Sequence, residues 1–414
     1  MTREANRSPS SASHATDAPA AEAQACDVAI VGAGIAGAAT AWWLKRLDPQ
    51  LSVVLLEQDT GFSSASSQRS ASSIRQQFSS PVNIRMSQFG LQFLRDAPSL
   101  LSIDGEAPAL GLTLPGYLYL ANASQAHGLR ALNTVQRAHD AQIELLSPDA
   151  LAQRFDWLHC ADLALGALGD GVEGWFDGPA LHHALLRSAR AAGVRLMQAT
   201  VAGFERDASR PQRIQAVRLA NGQRITCGWA VNAAGAWSRG LAASVGIDLP
   251  VHARRRTVFV LSCPVALPRC PLVIDPSGFW FRPEGRGFLF GTTPDPDTDD
   301  LPLEPNLAEF DEAMWMQLAH RVPAFEAVRV ERAWAGYYEM NLFDHNALLG
   351  PHPGFDNLLC ITGFSGHGMQ QAPAAGRGIA EQILHGRYLS LDLSELSVSR
   401  VAQGRRLLEA NVIG

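Results

Sequence analysis

The sequence predicts an α/β protein, α+β overall, in which a parallel βαβ domain is interleaved with a β-rich domain. Three observations predict it. A Gly-x-Gly-x-x-Gly turn stands between an apolar strand and a helix near the start of the chain. A second apolar strand ends on an acid in register with that turn. Residues 246 to 344 carry strand-like runs where a purely doubly wound chain would alternate strand and helix.

The first element is CDVAIVGAG, a short apolar strand running into a glycine turn. IAGAATAWWLKRL reads as a helix that Asp48-Pro49 ends, and LSVVLLEQ as a second buried strand. In this Rossmann-type fingerprint Gly32 permits the tight turn and Gly34 lets the backbone approach a pyrophosphate. Gly37 lets the helix pack close to the strand. The helix N-terminus then offers free N–H groups and a positive dipole to phosphates. Glu57 follows Gly37 by 20 residues, where an acid accepts from ribose hydroxyls and disfavours a 2′-phosphate. The fingerprint says dinucleotide and leaves NAD and FAD open.

A serine-rich loop from Ser63 to Ser80 comes next and carries Arg69 and Arg75. NIRMSQFGLQFLRD has helical spacing and GYLYLA reads as a strand. Helices are expected from Ser124 to Asp140 and from Pro148 to Phe155. Asp177 caps a helix that Gly193 ends, and VRLMQATVAGFE is read as one strand. Asn221-Gly222 marks a hairpin turn ahead of the strand that enters Ala233-Ala234-Gly235. TVFVLS, GFWFRP and GFLFG are strands of the insert, with one helix around Glu309 to Arg321. The closing stretch NLLCITGFSGHGMQQAPAAGRGIAEQILHG is strand, glycine turn, helix. The expected organisation is a tail over 1–25, a nucleotide domain over 26–85, 146–245 and 345–390, a cap over 86–145 and 246–344, and a C-terminal extension over 391–414.

Composition narrows the partners. The chain has 414 residues, 47% of them hydrophobic, enough for more than one packed core. The net charge of -6, without a Lys/Arg block, argues against nucleic acid and anionic membrane surfaces as main partners. Cys26, Cys160, Cys227, Cys263, Cys270 and Cys360 form no Cys-x-x-Cys pair and read as buried free thiols of a reducing cytoplasm. The Ala/Ser/Pro-rich start lacks the apolar run of a secretory signal, and no stretch of about 18 apolar residues suggests a spanning helix. A cytoplasmic location is expected, with peripheral membrane contact left open. Neither metal-site nor Ser-His-Asp hydrolase spacing is present.

Beyond the fingerprint, the chain resembles the D-amino-acid oxidase-like family of FAD-dependent oxidoreductases, which includes sarcosine, dimethylglycine and glycine oxidases and dehydrogenases. Within it the resemblance is greatest to the group called FAD-dependent oxidoreductase domain-containing proteins. It runs over most of the chain after residue 25 and rests on VGAGIAGAATAWWL, SSASSQRSASSIRQQFS, GWFD, VNAAGAWS and GFSGHGMQQAPAAGR. The cofactor implied is FAD, held without a covalent bond: no His follows Ser66-Ser67 and the strand GYYEMN has no Cys. The resemblance assigns Gly32, Ala33, Gly34, Ile35 and Gly37 to the pyrophosphate and Glu57 and Gln58 to the adenosine ribose. Ser66, Ser67 and Arg69 go to the pyrophosphate and flavin edge, Val201 to adenine, and Ala234, Gly235 and Trp237 to a second dinucleotide-side turn. Gly366, His367, Gly368 and Met369 are assigned to a turn whose following helix faces the flavin pyrimidine ring. Arg75 is the implied substrate-carboxylate arginine, with Tyr338 and Gln370 beside the substrate, His367 as a candidate acid/base, and Tyr337 and Arg282 as weaker pocket candidates.

Two departures bear on the reaction. Sarcosine oxidases carry a lysine just after the glycine-histidine-glycine turn, where this chain has Gln370. They carry another beside the flavin, where it has Phe288-Leu289-Phe290. This favours a dehydrogenase passing electrons to a quinone or electron-transfer protein over an oxidase. Three functions remain open at this point: oxidation of a C–N bond in a small amine or amino acid, oxidation of a C–OH bond in a hydroxyacid, and a flavin-loaded assembly or scaffold protein of vestigial activity.

Overall fold

The computed structural model describes residues 24–410, so the expected tail lies almost wholly outside the described residues. The βαβ unit forms as read: β1 (Gln24–Val31), α1 (Ile35–Leu47) and β2 (Val53–Glu57). β1 is the centre of a sheet. It pairs in parallel with β2 on one side and with strand Arg224–Asn232 on the other. Arg195–Gln198 continues the parallel run beyond β2, and Leu358–Thr362 does so beyond Arg224–Asn232. Leu348–Pro351 closes that edge antiparallel.

Parallel strands are covered on both faces. One face carries α1 with the helices Pro81–Leu100, Gly178–Ala191 and Gly368–His385 in a single apolar core. α1 is apolar almost all round because it lies between two of them. Its Trp42 indole donates to Ser188 Oγ at 3.0 Å and Trp43 donates to the Pro373 carbonyl at 2.8 Å. The other face packs on Val201–Arg206 and Ile214–Leu219, which form an antiparallel extension.

The second sheet runs Arg329–Asn341, Val251–Ser262, Gly287–Gly291, Trp280–Glu284, Leu272–Ile274, Tyr117–Ala121, Leu165–Leu168, Glu144–Leu146. Phe259, Phe281, Phe288, Phe290 and Phe325 fill its core on one side. The boundaries differ from those read in the sequence. Leu165–Leu168, read as nucleotide domain, pairs with Tyr117–Ala121 in the second sheet. The Pro81–Leu100 helix, read as cap from residue 86, buries Met86, Leu91 and Phe93 in the first core. VRLMQATVAGFE is two strands, Arg195–Gln198 and Val201–Arg206, placed on different partners. A helix packing on both neighbours and a strand that changes sheet leave no mark in composition.

The C-terminal extension is clamped by buried charge. Arg400 Nε reaches Asp344 Oδ2 at 2.7 Å and Nη2 reaches Oδ1 at 2.9 Å, with both side chains buried. Asp344 also accepts from the Leu407 N–H at 3.0 Å. Replacing one partner strands a buried charge. Arg400→Met is therefore expected to destabilise the protein by about 3–5 kcal/mol, seen as a lower urea midpoint at unchanged slope. A shift under about 1 kcal/mol would mean that the clamp is dispensable.

Candidate functional site

The β1–α1 turn is a place where backbones meet. Gly32 has φ +98, and a Cβ there would stand 2.3 Å from the Ala233 carbonyl oxygen. A Cβ on Gly37 would stand 1.9 Å from the Gly32 carbonyl oxygen. Both contacts are to backbone, which cannot swing aside, so only glycine permits this close approach. Gly34 is the extended N-cap of α1 and provides no side-chain cap, so the helix starts with its positive end open. Glu57 Oε2 accepts from the Ala33 N–H at 3.0 Å, and Ser67 Oγ accepts from the Ile35 N–H at 2.9 Å. His182, fully buried, donates from Nε2 to the Ala33 carbonyl at 2.7 Å and accepts at Nδ1 from Gln68 at 2.8 Å. Burial pushes its pKa down to about 4, which keeps it the neutral tautomer those two bonds require.

A cleft of about 410 Å³ opens from this turn and runs between the two sheets. Gly32, Gly34, Ile35, Glu57, Gln58, Ser66, Ser67 and Arg69 line its first part, with Val201, Ala234, Gly235 and Trp237. Gly366, Gly368, Met369, Tyr337 and Tyr338 line the other. Six residues singled out in the sequence do not line it. Ala33 and Gly37 shape the turn from within. His367 and Gln370 are buried beside the Gly366–Met369 turn, together with Arg75. Arg282 is also off the wall: it donates to the Ala71 carbonyl at 3.0 Å and stacks over Trp175. Of Phe288-Leu289-Phe290, the two phenylalanines enter the second-sheet core. Leu289 is buried opposite Arg282 and Val260.

Arg75 is 3% exposed. Nη1 donates to the Gln77 carbonyl at 2.6 Å and Nη2 to His367 Nε2 at 2.9 Å, while the guanidinium lies 4.0 Å from the Phe78 ring centre. Gln370 Oε1 accepts from the Arg75 N–H at 2.8 Å. Burial first, and then the Arg75 charge, hold the His367 pKa well below the ordinary histidine range. A histidine that accepts from arginine at Nε2 and stays neutral orients that arginine and does not deliver protons there. Glu173 closes the cluster from beneath, accepting from the Gln76 and Gln77 backbone and from Gln77 Nε2, and burial pushes its pKa up to about 7. Tyr117 and Tyr119 stack on the same side, their ring centres 5.6 Å apart.

Three residues went unread in the sequence. His182 is visible in hindsight as a polar residue on the apolar face of an amphipathic helix. Arg256 lines the cleft, stacks over Tyr338 at 5.2 Å and makes a bidentate pair with Asp297 at 2.7 and 3.0 Å. Glu339 lines the cleft between the Gly235 turn and the Gly363–Gly368 turn; its signal is an acid directly after two tyrosines in a strand. A further cluster, His159, Asp162 and His320, sits on the second sheet's periphery. Both Asp162 oxygens are engaged by Arg321, at 2.9 and 2.8 Å, which makes it an ion-pair network.

A family model described as FAD dependent oxidoreductase (DAO) matches residues 27–382. The chain belongs to this family of FAD-dependent oxidoreductases. It is 38% identical to FAD-dependent oxidoreductase domain-containing protein 1 of Xenopus laevis over 426 residues, covering 94% of this chain and 85% of that protein. It is 27% identical to glycine oxidase of Geobacillus kaustophilus, covering 90% and 97%. Among solved structures, L-proline dehydrogenase from P. horikoshii superposes with a TM-score of 0.81 at 22% identity, covering 93% of this chain and all of that one, a likeness of fold.

FAD is the cofactor, and the residues fit it. The glycine turn and the N-terminus of α1, where Ser67 takes only the Ile35 N–H, would hold a pyrophosphate, and Glu57 stands at the strand end where a ribose would reach it. Among the cleft-lining residues there is no cysteine or histidine to form a covalent link. Acid precipitation of the holoprotein is expected to leave the flavin in the supernatant. A yellow pellet would contradict this. Among the described residues no helix is long and apolar enough to cross a membrane.

Proposed function

We propose that the protein oxidises the C–N bond of a small amino acid or amine that carries a carboxylate, and that it works as a dehydrogenase. One observation carries the substrate class. Arg75 is a buried cation whose guanidinium donates to two neutral partners, the Gln77 carbonyl and His367, and among the described residues it forms no ion pair. A buried guanidinium with no carboxylate in direct contact is costly, Glu173 and Glu409 acting on it only from a distance, and a planar fork beside the Gly366–Met369 turn suits a substrate carboxylate bound bidentately. The relatives named glycine oxidase and D-amino acid dehydrogenase are consistent with such a substrate.

In this reading the chain's work is positioning. His367 and the Phe78 ring fix the direction of the guanidinium, which fixes the carboxylate and hence the carbon to be oxidised. Bound FAD supplies a two-electron acceptor for the hydride leaving that carbon. The amine nitrogen supplies the electron pair that forms the imine, and water then hydrolyses it. The dehydrogenase assignment rests on the two replaced lysines. Gln370 is tied to the Arg75 backbone, and Phe288-Leu289-Phe290 carries no lysine and lies off the cleft wall.

The test is anaerobic bleaching of the flavin against N-methyl and D-amino acids, hydroxyacids and polyamines. Carboxylate-bearing amines are expected to bleach it. Bleaching by hydroxyacids alone, or by nothing in the panel, would overturn the C–N assignment. Arg75→Lys should raise KM by about tenfold or more with a smaller fall in kcat. Reduced enzyme should reoxidise slowly in air and fast with a quinone or dye; rapid peroxide formation would make it an oxidase.

A further inference from the structure

Glu339 faces the cofactor cleft from the strand Arg329–Asn341, and its partly exposed surface opens into that cleft. Oε2 accepts from Thr362 Oγ1 at 2.8 Å and from the Gly363 N–H at 3.0 Å, and the Phe364 backbone donates as well. These donors are all neutral. Oε1 lies toward the start of the Gly368–His385 helix, 3.7 Å from where a Cβ on Gly368 would be, and Oε2 lies 3.9 Å from the equivalent point on Gly235. One carboxyl group thus sits between the two turns that border the middle of the cleft.

The charged groups on the surrounding elements have other partners. Arg69 donates to the Ser63 and Ala335 carbonyls. Arg254 pairs with Asp299 and Arg256 with Asp297 on the neighbouring strand, where Ala253 stands opposite Glu339. His367 accepts from Arg75, and Arg239 contacts Asp248 and His252. On its own strand Tyr337 donates to the Leu301 carbonyl, and Tyr338 lies under Arg256.

We propose that Glu339 couples proton uptake to reduction of the cofactor: its carboxylate takes a proton from water when the flavin beside it is reduced, and releases it on reoxidation. The physical reason is charge. Reduction puts negative charge into a cleft of low dielectric, and a carboxylate on the same wall then favours its neutral form. Protonation also leaves the positive end of the Gly368–His385 helix to the cofactor rather than to Glu339. Burial already pushes the Glu339 pKa up to about 7, so little added charge is needed near neutral pH. The sign follows. Below pH 7 the carboxyl is already protonated in the oxidised protein and takes up nothing. Above it, uptake accompanies reduction until the pH passes the higher pKa of the reduced state. The inference rests on FAD binding and not on the substrate class.

The experiment is a spectroelectrochemical titration of the holoenzyme from about pH 6 to pH 9, with no substrate. The potential should fall more steeply with pH above a break near pH 7, and Glu339→Gln should abolish the break. In the reduced-minus-oxidised infrared spectrum at pH 8 the wild type should gain a carboxylic-acid C=O band, which Glu339→Asp shifts and Glu173→Gln leaves in place. A single slope in the wild type, no such band, or a break that survives Glu339→Gln would each overturn the proposal. Should Glu339→Gln fail to hold FAD, the wild-type titration and Glu339→Asp still decide it. Failure here leaves the amine reading standing, because no substrate enters the measurement.

Discussion

Three backbone segments touch at one point, and the site is built on that contact. Gly32 lies against Ala233, and Gly37 lies against Gly32, at distances no side chain allows. This contact brings the start of α1 over the ends of β1 and of Arg224–Asn232, at an N-cap glycine with no side chain, where Ser67 takes only the Ile35 N–H. The alanines of α1 serve the same end, since they let the helix lie close among three others. His182 secures the turn from behind, through a neutral imidazole that the apolar core itself keeps unprotonated.

A second constraint is the treatment of buried charge. Most of the buried ions of this chain are paired: Arg400 with Asp344, Arg321 with Asp162 and Asp275, Arg256 with Asp297. Arg75, Glu173 and the partly exposed Glu339 depart from that rule, each held by neutral hydrogen-bond partners; of these, Arg75 and Glu339 lie beside the Gly363–Gly368 turn. One is a cation and the other an acid, on opposite sides of one loop. Desolvation that is not compensated inside the protein is what a bound group of complementary charge or protonation state can offset.

The parts legible in the sequence are those set by local chemistry. A glycine turn between an apolar strand and a helix has one geometry, and Glu57 follows it at a fixed distance along a strand. Hence β1, α1 and β2 form as read. Asp177 accepts from the Ala180 N–H as expected of an N-cap, and the Asn221-Gly222 turn joins two antiparallel strands. The turn at Gly366 was read as a strand-to-helix joint, and it is one. What could not be read is the direction of side chains that alternate along a turn or strand. Gly366, Gly368 and Met369 line the cleft while His367 turns away to Arg75, and no periodicity in GFSGHGMQQ reports that. Arg256 sits in a run of three arginines; strand pairing sets Arg254 opposite Tyr338 and Arg256 opposite Gly336, yet it is Arg256 that reaches diagonally over the Tyr338 ring. Glu339 gains its meaning from Thr362 and Gly363, which lie at the end of a strand of the other sheet and meet it only where the two sheets face each other across the cleft.

The α1 turn and Glu57 would hold the adenosine diphosphate half of FAD. The most direct measurement is equilibrium binding of FAD and of FMN to the apoprotein, in the wild type and in Gly34→Val. FMN keeps one phosphate of that half and lacks its adenosine monophosphate. FAD should bind the wild type about a hundredfold more tightly than FMN, roughly 2.7 kcal/mol, and Gly34→Val should erase most of the difference. Equal affinity for FAD and FMN, or a Gly34→Val protein that still prefers FAD by the full margin, would contradict the account.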